Sequence, residues 1–521
     1  MQKEIVLVLS PKQASSEEYY LPIIAQKLKL SPKRIVKTQI LNRSIDARKK
    51  KVKIQLKVLV FIDVLPIEKS EFKFDYKDVT LKEPVLIVGA GPAGLFAALK
   101  LLELRLKPII IERGKDVSKR RRDIAAIHKN ASLDPDSNYG FGEGGAGAYS
   151  DGKLYTRSKK RGSIRGILNV LKFHGAPPDI LIDAHPFIGS DKLPDIIKNI
   201  RRTILDWGGE VLFQTRLEEL ILESHKIVGI RTGFGDTFKA KAVILAAGHS
   251  ARDVYEMLHK QDIVLEAKPF AMGVRIEHPQ ELIDSIQYSC PHRGPYLPAA
   301  TYSLVQQIEN RGVYSFCMCP GGIVVPASTA PGEMVVNGMS PSNRNTPWAN
   351  SGLVVEIQLG DVGSSPSKHV LNGLNFQRKY EKLAFAHGGL GQIAPAQRAV
   401  DFFDGKLSNQ LPESSFRPAL KSSPLNEWMP ENIRKRLQLG LQAFGQKMRG
   451  YFTNEAVLIG AESRTSSPIR IPRDAQTFQH PQIEGLFPSG EGSGYAGGIA
   501  SSAIDGENCA LKVYKFITKN N

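Results

Sequence analysis

Long apolar runs are missing from this chain. The longest, VLVFIDVLPI (58–67) and AVILAAG (242–248), are of strand length, short of the ~18–20 residues that a membrane-spanning helix needs. Cysteine is scarce, with four among 521 residues, which argues against a disulfide framework and for a reducing compartment. The opening MQKEIVLVLS has neither the apolar core nor the small-residue cleavage site of a secretory signal, so a cytoplasmic location is expected. Internal repeats and low-complexity tracts are absent as well. Acidic residues are the last shortage. Against 70 Lys and Arg stand 52 Asp and Glu, for a net charge of +18. Residues 1–83 alone carry 18 basic against 10 acidic side chains, and further basic clusters sit at RGKDVSKRRR (113–122) and RSKKRGSIR (157–165). Such clusters read either as a solvated basic surface or as the footprint of an anionic partner: a phosphorylated cofactor, an acidic substrate or nucleic acid.

What is present is an ordinary globular composition, 42% hydrophobic and 23% charged. The chain exceeds the size at which single cores stop growing, so two or three domains are expected. EIVLVLS (4–10) alternates like a strand, and Ser15 with Glu18 reads as a capping box opening the helical EEYYLPIIAQKLKL (17–30). Two further strands follow, RIVKTQILNRSID and KVKIQLKVLVFID, around the polar turn ARKKK. That order predicts a small basic α+β module over 1–80, of βαββ, ferredoxin-like type, and residues 65–84 then read as a linker. From Val85 the grammar changes. VLIVGAGPAGLFAALKLLELRLKPIIIERG is strand, glycine turn, helix and strand, a βαβ unit with a buried parallel sheet. Residues 430–450 read as a helix. The expected division is a Rossmann-like α/β domain over 81–265, a mixed or antiparallel β domain over 266–400, and a return to the first domain over 401–521.

The GxGxxG of Gly89, Gly91 and Gly94 encloses Pro92 and Ala93 and sits between strand and helix, with Glu112 at the end of the next strand, 23 positions past Gly89. Gly89 permits the tight turn, Gly91 the approach of the backbone to a pyrophosphate, and Gly94 close helix–strand packing. The helix N-terminus offers N–H groups and partial positive charge to phosphates, and Glu112, followed by Arg113, can accept from ribose hydroxyls. Two other stretches favour FAD over NAD. VILAAGHSAR (243–252) is a buried strand ending in the small residues Ala247 and Gly248. PSGEGSGYAGGIASSAIDGE (488–507) holds six glycines in twenty residues and runs into a helical pattern. In two-part flavin folds such a returning segment supplies the second phosphate and ribityl contacts. Gly490 and Glu491 are the candidates there, with Gly497, Gly498 and Ile499 opening a helix toward the flavin pyrimidine.

Several long strings carry a resemblance: GAGPAGLFAALKL, FGEGGAGAYSDGKL, AAGHSARD, KPFAMGVRIEHPQ, RGVYSFCMCPGG, ESRTSSPIRIPRD and GEGSGYAGGIASSAIDGE. Through them the chain resembles, over nearly its full length, the family of uncharacterised FAD-dependent dehydrogenases within the glutathione-reductase-type (GR2-type, two-part) flavoproteins. The resemblance implies FAD and a fold, and brings no substrate. Glu491 stands where many flavoproteins carry Asp. It also implies that the glycine loop with Gly144, Gly145, Ala146 and Gly147 lines the pyrophosphate and isoalloxazine. Ser150, Asp151 and Lys153 then meet flavin or substrate, or else form the charged rim of a phosphate loop.

No second GxGxxG unit follows, so no separate NAD(P) domain is expected, and without a CxxxxC the layout of a disulfide reductase is excluded. An electron donor or acceptor must visit the flavin directly, with NAD(P)H a candidate transient donor. Cys317 and Cys319 in CMC read either as a thiol pair beside the flavin or, sharing one face of a strand, as small core hydrophobes. Joining them with Cys290 and His292 gives a zinc-like set of unfamiliar spacing, so no metal is expected. His249, Arg252, Arg275, Glu277, Arg464 and Arg470 are further polar candidates. Arg275 and Arg464 suit a substrate carboxylate or the flavin anion, and Lys153 the reduced flavin. His278 reads as a general acid or base or as a hydrogen-bonded structural histidine. The expected activity is hydride transfer between flavin N5 and a small anionic substrate. Two rivals are a nucleic-acid-associated flavoenzyme using the basic N-terminal module and a non-catalytic flavin-binding sensor.

Overall fold

The computed structural model describes residues 1–66, 74–129, 132–155, 162–363 and 369–519. Part of the linker, 67–73, and the first five residues, 157–161, of the basic stretch RSKKRGSIR lie outside the described residues. A small N-terminal module comes first: strand Gln2–Leu9, helix Glu17–Leu28, then strands Ile35–Asp46 and Lys53–Ile62. The last strand lies between the other two, antiparallel to both. Alternate residues Ile54, Leu56, Val58 and Val60 are buried against Ile24 of the helix. The capping box is displaced from Ser15. Ser10 and Gln13 form it on the short helix Pro11–Ala14, while Ser16 stands before Glu17–Leu28 with no side-chain cap.

A five-stranded parallel sheet forms the next layer, in the order Leu486–Pro488, Val243–Leu245, Pro84–Val88, Lys107–Ile111, Glu210–Leu212. Both of its faces are covered, which is why its strands are unbroken apolar runs. Val85, Ile87 and Ile110 join one core with the helices Pro92–Glu103, Leu193–Asp206 and Ile499–Lys519. Leu86, Val88 and Ile111 point the other way, into a core shared with the antiparallel strands Leu217–Glu223 and Lys226–Thr232 and the helix Arg252–Lys260. Val85, Leu86 and Ile87 are fully buried, each contributing about 1.5–3 kcal/mol.

The second large layer is a seven-stranded mixed sheet. Its order is Val305–Ile308, Arg311–Cys319, Trp348–Ile357, Phe270–Pro279, Val457–Glu462, Ala394–Arg398, Leu420–Ser422, antiparallel except for the last pair. The boundary expected at 400 falls inside this layer. Strand Val457–Glu462 is inserted between Phe270–Pro279 and Ala394–Arg398, and helix Glu431–Lys447 shares their core. The chain returns to the parallel sheet only after Glu462, so the β domain runs from about 266 to 462. Among the described residues no helix is long and apolar enough to cross a membrane.

Candidate functional site

A cleft of about 400 Å³ opens between the two large layers, at the C-terminal ends of the parallel strands. Glycine turns form its floor. Gly89 has φ of +102°, and a Cβ there would lie 2.5 Å from the Ala246 carbonyl oxygen. A Cβ on Gly94 would lie 2.0 Å from the carbonyl oxygen of Gly89, so only glycine lets helix Pro92–Glu103 seat this close. Gly91 caps that helix with no side chain, leaving its N-terminal N–H groups without a side-chain acceptor. The loop 142–147 meets it, and a Cβ on Gly145 would come within 3.2 Å of Gly91 Cα. The returning segment closes the ring: a Cβ on Gly147 would lie 3.0 Å from Ile499 Cγ1, and one on Gly492 2.5 Å from the Gly248 carbonyl oxygen.

Two buried arginines hold these loops. Arg120, fully buried, donates to the carbonyl oxygens of Asn138, Tyr139, Gly142, Glu143 and Gly145 at 2.7–3.2 Å. Burial pulls its guanidinium down to about 10. Arg473 lies between the rings of Phe478 and Tyr495, each 3.9 Å from its carbon Cζ. It binds Asp505 at 2.6 and 3.0 Å and the Pro488 carbonyl oxygen at 2.8 Å. Asp505 in turn accepts from Gly490 N–H. Neither arginine stood out in the sequence, because Arg120 lies in a basic run and Arg473 at the edge of a string without glycine.

Of the candidates for cofactor contact, Gly89, Gly91, Pro92, Ala93, Glu112, Arg113, Gly145, Ala146, Gly147, Ser150, Ala247, Gly248, Gly490, Glu491, Gly497, Gly498 and Ile499 line the cleft. Gly94 and Gly144 stand behind it. A Cβ on Gly144 would strike Ile197 at 2.4 Å. Glu112 accepts from the N–H groups of Ala90, Gly114 and Gly142 at 2.9–3.0 Å. It thus ties three turns together, with lone-pair capacity left for a ribose hydroxyl. Arg113 is paired with Asp253 and Asp136 and stacks on Phe141. Ser150 shapes its own turn, donating to the Gly147 carbonyl oxygen and accepting from Gly152 N–H. Glu491 lies 3.4 Å from His249 Nδ1, and burial raises its carboxyl above the usual range against that histidine.

The opposite wall comes from the seven-stranded sheet and the strand Val336–Met339: Phe316, Cys317, Asn337, Glu462, Arg464 and Thr465. Three of the four proposed catalytic residues sit differently from expectation. His278 does not line the cleft. On strand Phe270–Pro279 it shares the face of Val274 and Ile276, toward the core, where its ring packs on Tyr451 and its Nε2 donates to the Tyr451 carbonyl oxygen at 2.7 Å. Burial pulls it down to about 4, which leaves it neutral at neutral pH and unsuited to acid–base work. Arg275 is fully buried beside the cleft, held by Glu462 at 3.1 Å, Asn350 and the Cys317 carbonyl oxygen. Arg464 reaches the cleft but is fastened to Glu381 and Glu333, which also bind Arg252. Both arginines position the wall, with the substrate clamp expected of them already filled by carboxylates.

Lys153 does reach the cleft. Its Nζ donates to the Met318 carbonyl oxygen and lies 3.4 Å from Asp151. Burial alone would lower its pKa, and the charges of Cys317 and Asp151 outweigh it and raise it. The sequence missed Glu462. Burial pushes its carboxyl up to about 7 against the opposing Arg275, and it stands at the cleft end of its strand. The two cysteines do not share a face. A bulge between Phe316 and Cys319, with φ of +46° at Cys317, turns Cys317 out to the cleft while Cys319 stays buried. No group of three or more metal-ligating side chains is gathered among the described residues, Cys290 and His292 included.

The residues fit FAD. Uncapped glycine turns and the start of a long helix face one cleft, and at Gly248, Gly497 and Gly498 a Cβ would meet nothing within 4 Å. A family model described as FAD-dependent protein, C-terminal domain-like, matches residues 269–465, and a domain of unknown function (DUF8436) matches residues 1–61. The chain is 43% identical over 503 residues, 93% of each chain, to an uncharacterised protein of Clostridium beijerinckii. It is 22% identical over 336 residues, 61% of this chain and 46% of the relative, to the tRNA uridine 5-carboxymethylaminomethyl modification enzyme MnmG of Streptococcus pneumoniae. A geranylgeranyl bacteriochlorophyll reductase-like structure from Thermoplasma acidophilum matches at 14% identity and a TM-score of 0.33, over 84% of this chain and 80% of that one. With its near-full-length relative and its matched domain, the chain belongs to a family of FAD-dependent proteins, and FAD is its cofactor.

Proposed function

We propose that the protein is an oxidoreductase that exchanges a hydride between FAD and a small anionic substrate admitted between the two layers. Bound FAD supplies a two-electron donor and acceptor, and everything else falls to the chain. One observation carries the reading: the glycine turns of one domain, with Lys153 at the end of the glycine loop, and the titratable groups Glu462 and Cys317 of the facing wall line a single cleft. The turns at Gly91, Gly145 and Gly490 hold the phosphates, with Arg120 and Arg473 fixing the loops. Glu462, held by Arg275 and titrating about 7, takes or returns the proton that accompanies hydride transfer, and Lys153 offers the substrate a positive partner. The tests are anaerobic mixing with NADH, NADPH and candidate anionic donors, followed at the flavin band, and a pH profile. The expected result is a step near pH 7 that disappears in Glu462→Gln and persists in His278→Asn. An identical profile in Glu462→Gln and wild type removes Glu462 from the reaction.

A second reading has one observation in its favour, the partial match to an enzyme named for tRNA modification. Under it, the basic N-terminal module binds an RNA backbone and the flavin acts on a nucleotide. RNA binding whose affinity falls steeply with salt supports it, and equal, weak binding of full-length protein and a variant lacking Lys49, Lys50 and Lys51 charges removes it.

A further inference from the structure

Cys317 is out of place for a strand residue. Strand Arg311–Cys319 pairs with Trp348–Ile357 in unbroken register from Val313 to Phe316, then bulges, and Cys317 adopts the left-handed backbone that non-glycine residues seldom take. The bulge breaks the packing face that would have buried both cysteines and presents one of them to the cofactor cleft. Cys319 stays directly behind it. The Cys319 thiol donates back to the Cys317 carbonyl oxygen at 3.4 Å, which folds the second sulfur toward the first residue. Two cations flank the pair. Lys153 Nζ is fixed on the intervening Met318 carbonyl oxygen, and Arg275 donates to the Cys317 carbonyl oxygen at 2.8 Å and to Cys319 Sγ at 3.4 Å. The neighbouring Cys319 thiol, then the charges of Lys153 and Arg275, lower the Cys317 thiol below its ordinary value against the effect of burial, while Cys319 is raised. Cys317 is thus the more readily ionised of the two thiols. An independent feature beside the pair marks the cleft as built for a further group: Asp151, only 1% exposed and lining the cleft, has no partner for Oδ1 among the described residues, while Arg344 and Lys153 hold Oδ2.

We propose that Cys317 and Cys319 form a redox-active dithiol that exchanges two electrons with FAD bound in the cleft, closing to a Cys317–Cys319 disulfide. The proposal rests on the FAD reading above. In the oxidising direction the Cys319 S–H bond breaks and the S–S bond forms. The two electrons released and the Cys319 proton together convert FAD to its anionic two-electron-reduced form, so charge and protons balance with none exchanged with solvent. The reverse step reopens the disulfide at the expense of reduced flavin. The arrangement differs from a disulfide reductase in needing no nicotinamide domain, since the pair sits on the β domain and reaches the flavin from the far wall. It gives the protein a second two-electron store beside its flavin.

The test uses full-length, FAD-loaded protein oxidised with glutathione disulfide and desalted. Anaerobic dithionite titration of the wild type should consume two electron pairs per FAD, against one pair in Cys317→Ser and Cys319→Ser that retain their flavin absorbance. On the wild type alone, mass spectrometry should find the peptide with both cysteines 2 Da lighter and closed to alkylation when oxidised, and doubly alkylated after reduction. One electron pair per FAD in the wild type overturns the proposal, whether or not a disulfide forms. So does full alkylation of both cysteines in the oxidised protein. A wild type that holds no FAD overturns the cofactor reading first, and the proposal with it, and is recognised by the missing flavin band.

Discussion

Two glycines of the cleft separate what the fold needs from what the cofactor needs. A Cβ on Gly94 would sit 2.0 Å from the carbonyl oxygen of Gly89 and 3.2 Å from Ile87 Cγ2. To relieve that, helix Pro92–Glu103 and the strand must part by roughly 1 Å. Little else there can give: the C-terminal helix is wedged on the helix's outer side, where a Cβ on Gly506 would lie 2.0 Å from the Ala93 carbonyl oxygen. Overpacking of this kind costs ~1–3 kcal/mol, and because the obstacle is backbone Gly94→Ala belongs at the upper end. At ~2–4 °C per kcal/mol the apo protein should melt roughly 6–12 °C lower. Gly497 is the contrast. It has no positive φ and a Cβ there would meet nothing within 4 Å, so Gly497→Ala should leave the apo melting temperature unchanged. With FAD present that same methyl occupies cofactor space, and FAD affinity should fall at least about tenfold, ~1.4 kcal/mol. The assays are thermal unfolding of flavin-stripped protein by circular dichroism and FAD titration by fluorescence. A Gly497→Ala variant that destabilises the apo protein like Gly94→Ala, or that binds FAD like wild type, refutes the reasoning.

Three further outcomes follow from the same geometry. Arg120→Ala strands five carbonyl oxygens of the loop 138–145, and should cost about 3–5 kcal/mol and release FAD; Arg120→Lys, with three donors, should not restore flavin retention. Burial raises Glu143 from 4.5 to about 7, so across that window the native state holds more protons than the unfolded state and unfolding free energy falls as pH rises. Glu143→Gln removes this dependence. Its advantage over wild type in urea denaturation should grow by on the order of 2 kcal/mol from pH 5 to pH 8, and an advantage equal at both pH values contradicts the assignment. Arg464→Ala leaves the buried Glu381 and Glu333 sharing Arg252, with only the more distant Arg378 added on Glu333, and should destabilise the protein by about 3–5 kcal/mol, whereas loss of activity at unchanged stability would return Arg464 to the role of substrate clamp.

The stretch from Val85 to Glu112 was legible because each of its residues has a local reason: an apolar strand, glycines at fixed offsets, an acid at the next strand end. The C-terminal glycines were legible for a similar reason, since a flexible cluster feeding a helical pattern demands a ligand. Arg120 was hidden because a sequence does not say which member of a basic run turns inward. His278 looked catalytic because alternation along Phe270–Pro279 gives two faces without saying which is core. The boundary at 400 failed because strands Ala394–Arg398 and Val457–Glu462 become neighbours only in space, with 58 residues between them in the chain. Cys317 and Cys319 read as one face because a bulge leaves no mark in composition.

The central claim, that three glycine turns and two arginine braces build an FAD site, is tested most directly by the absorbance spectrum of the purified full-length protein, taken as isolated and after incubation with FAD and desalting. The account predicts a flavin spectrum at one FAD per chain that is lost in Arg120→Ala. A colourless protein after FAD loading, correctly folded by circular dichroism, would contradict it.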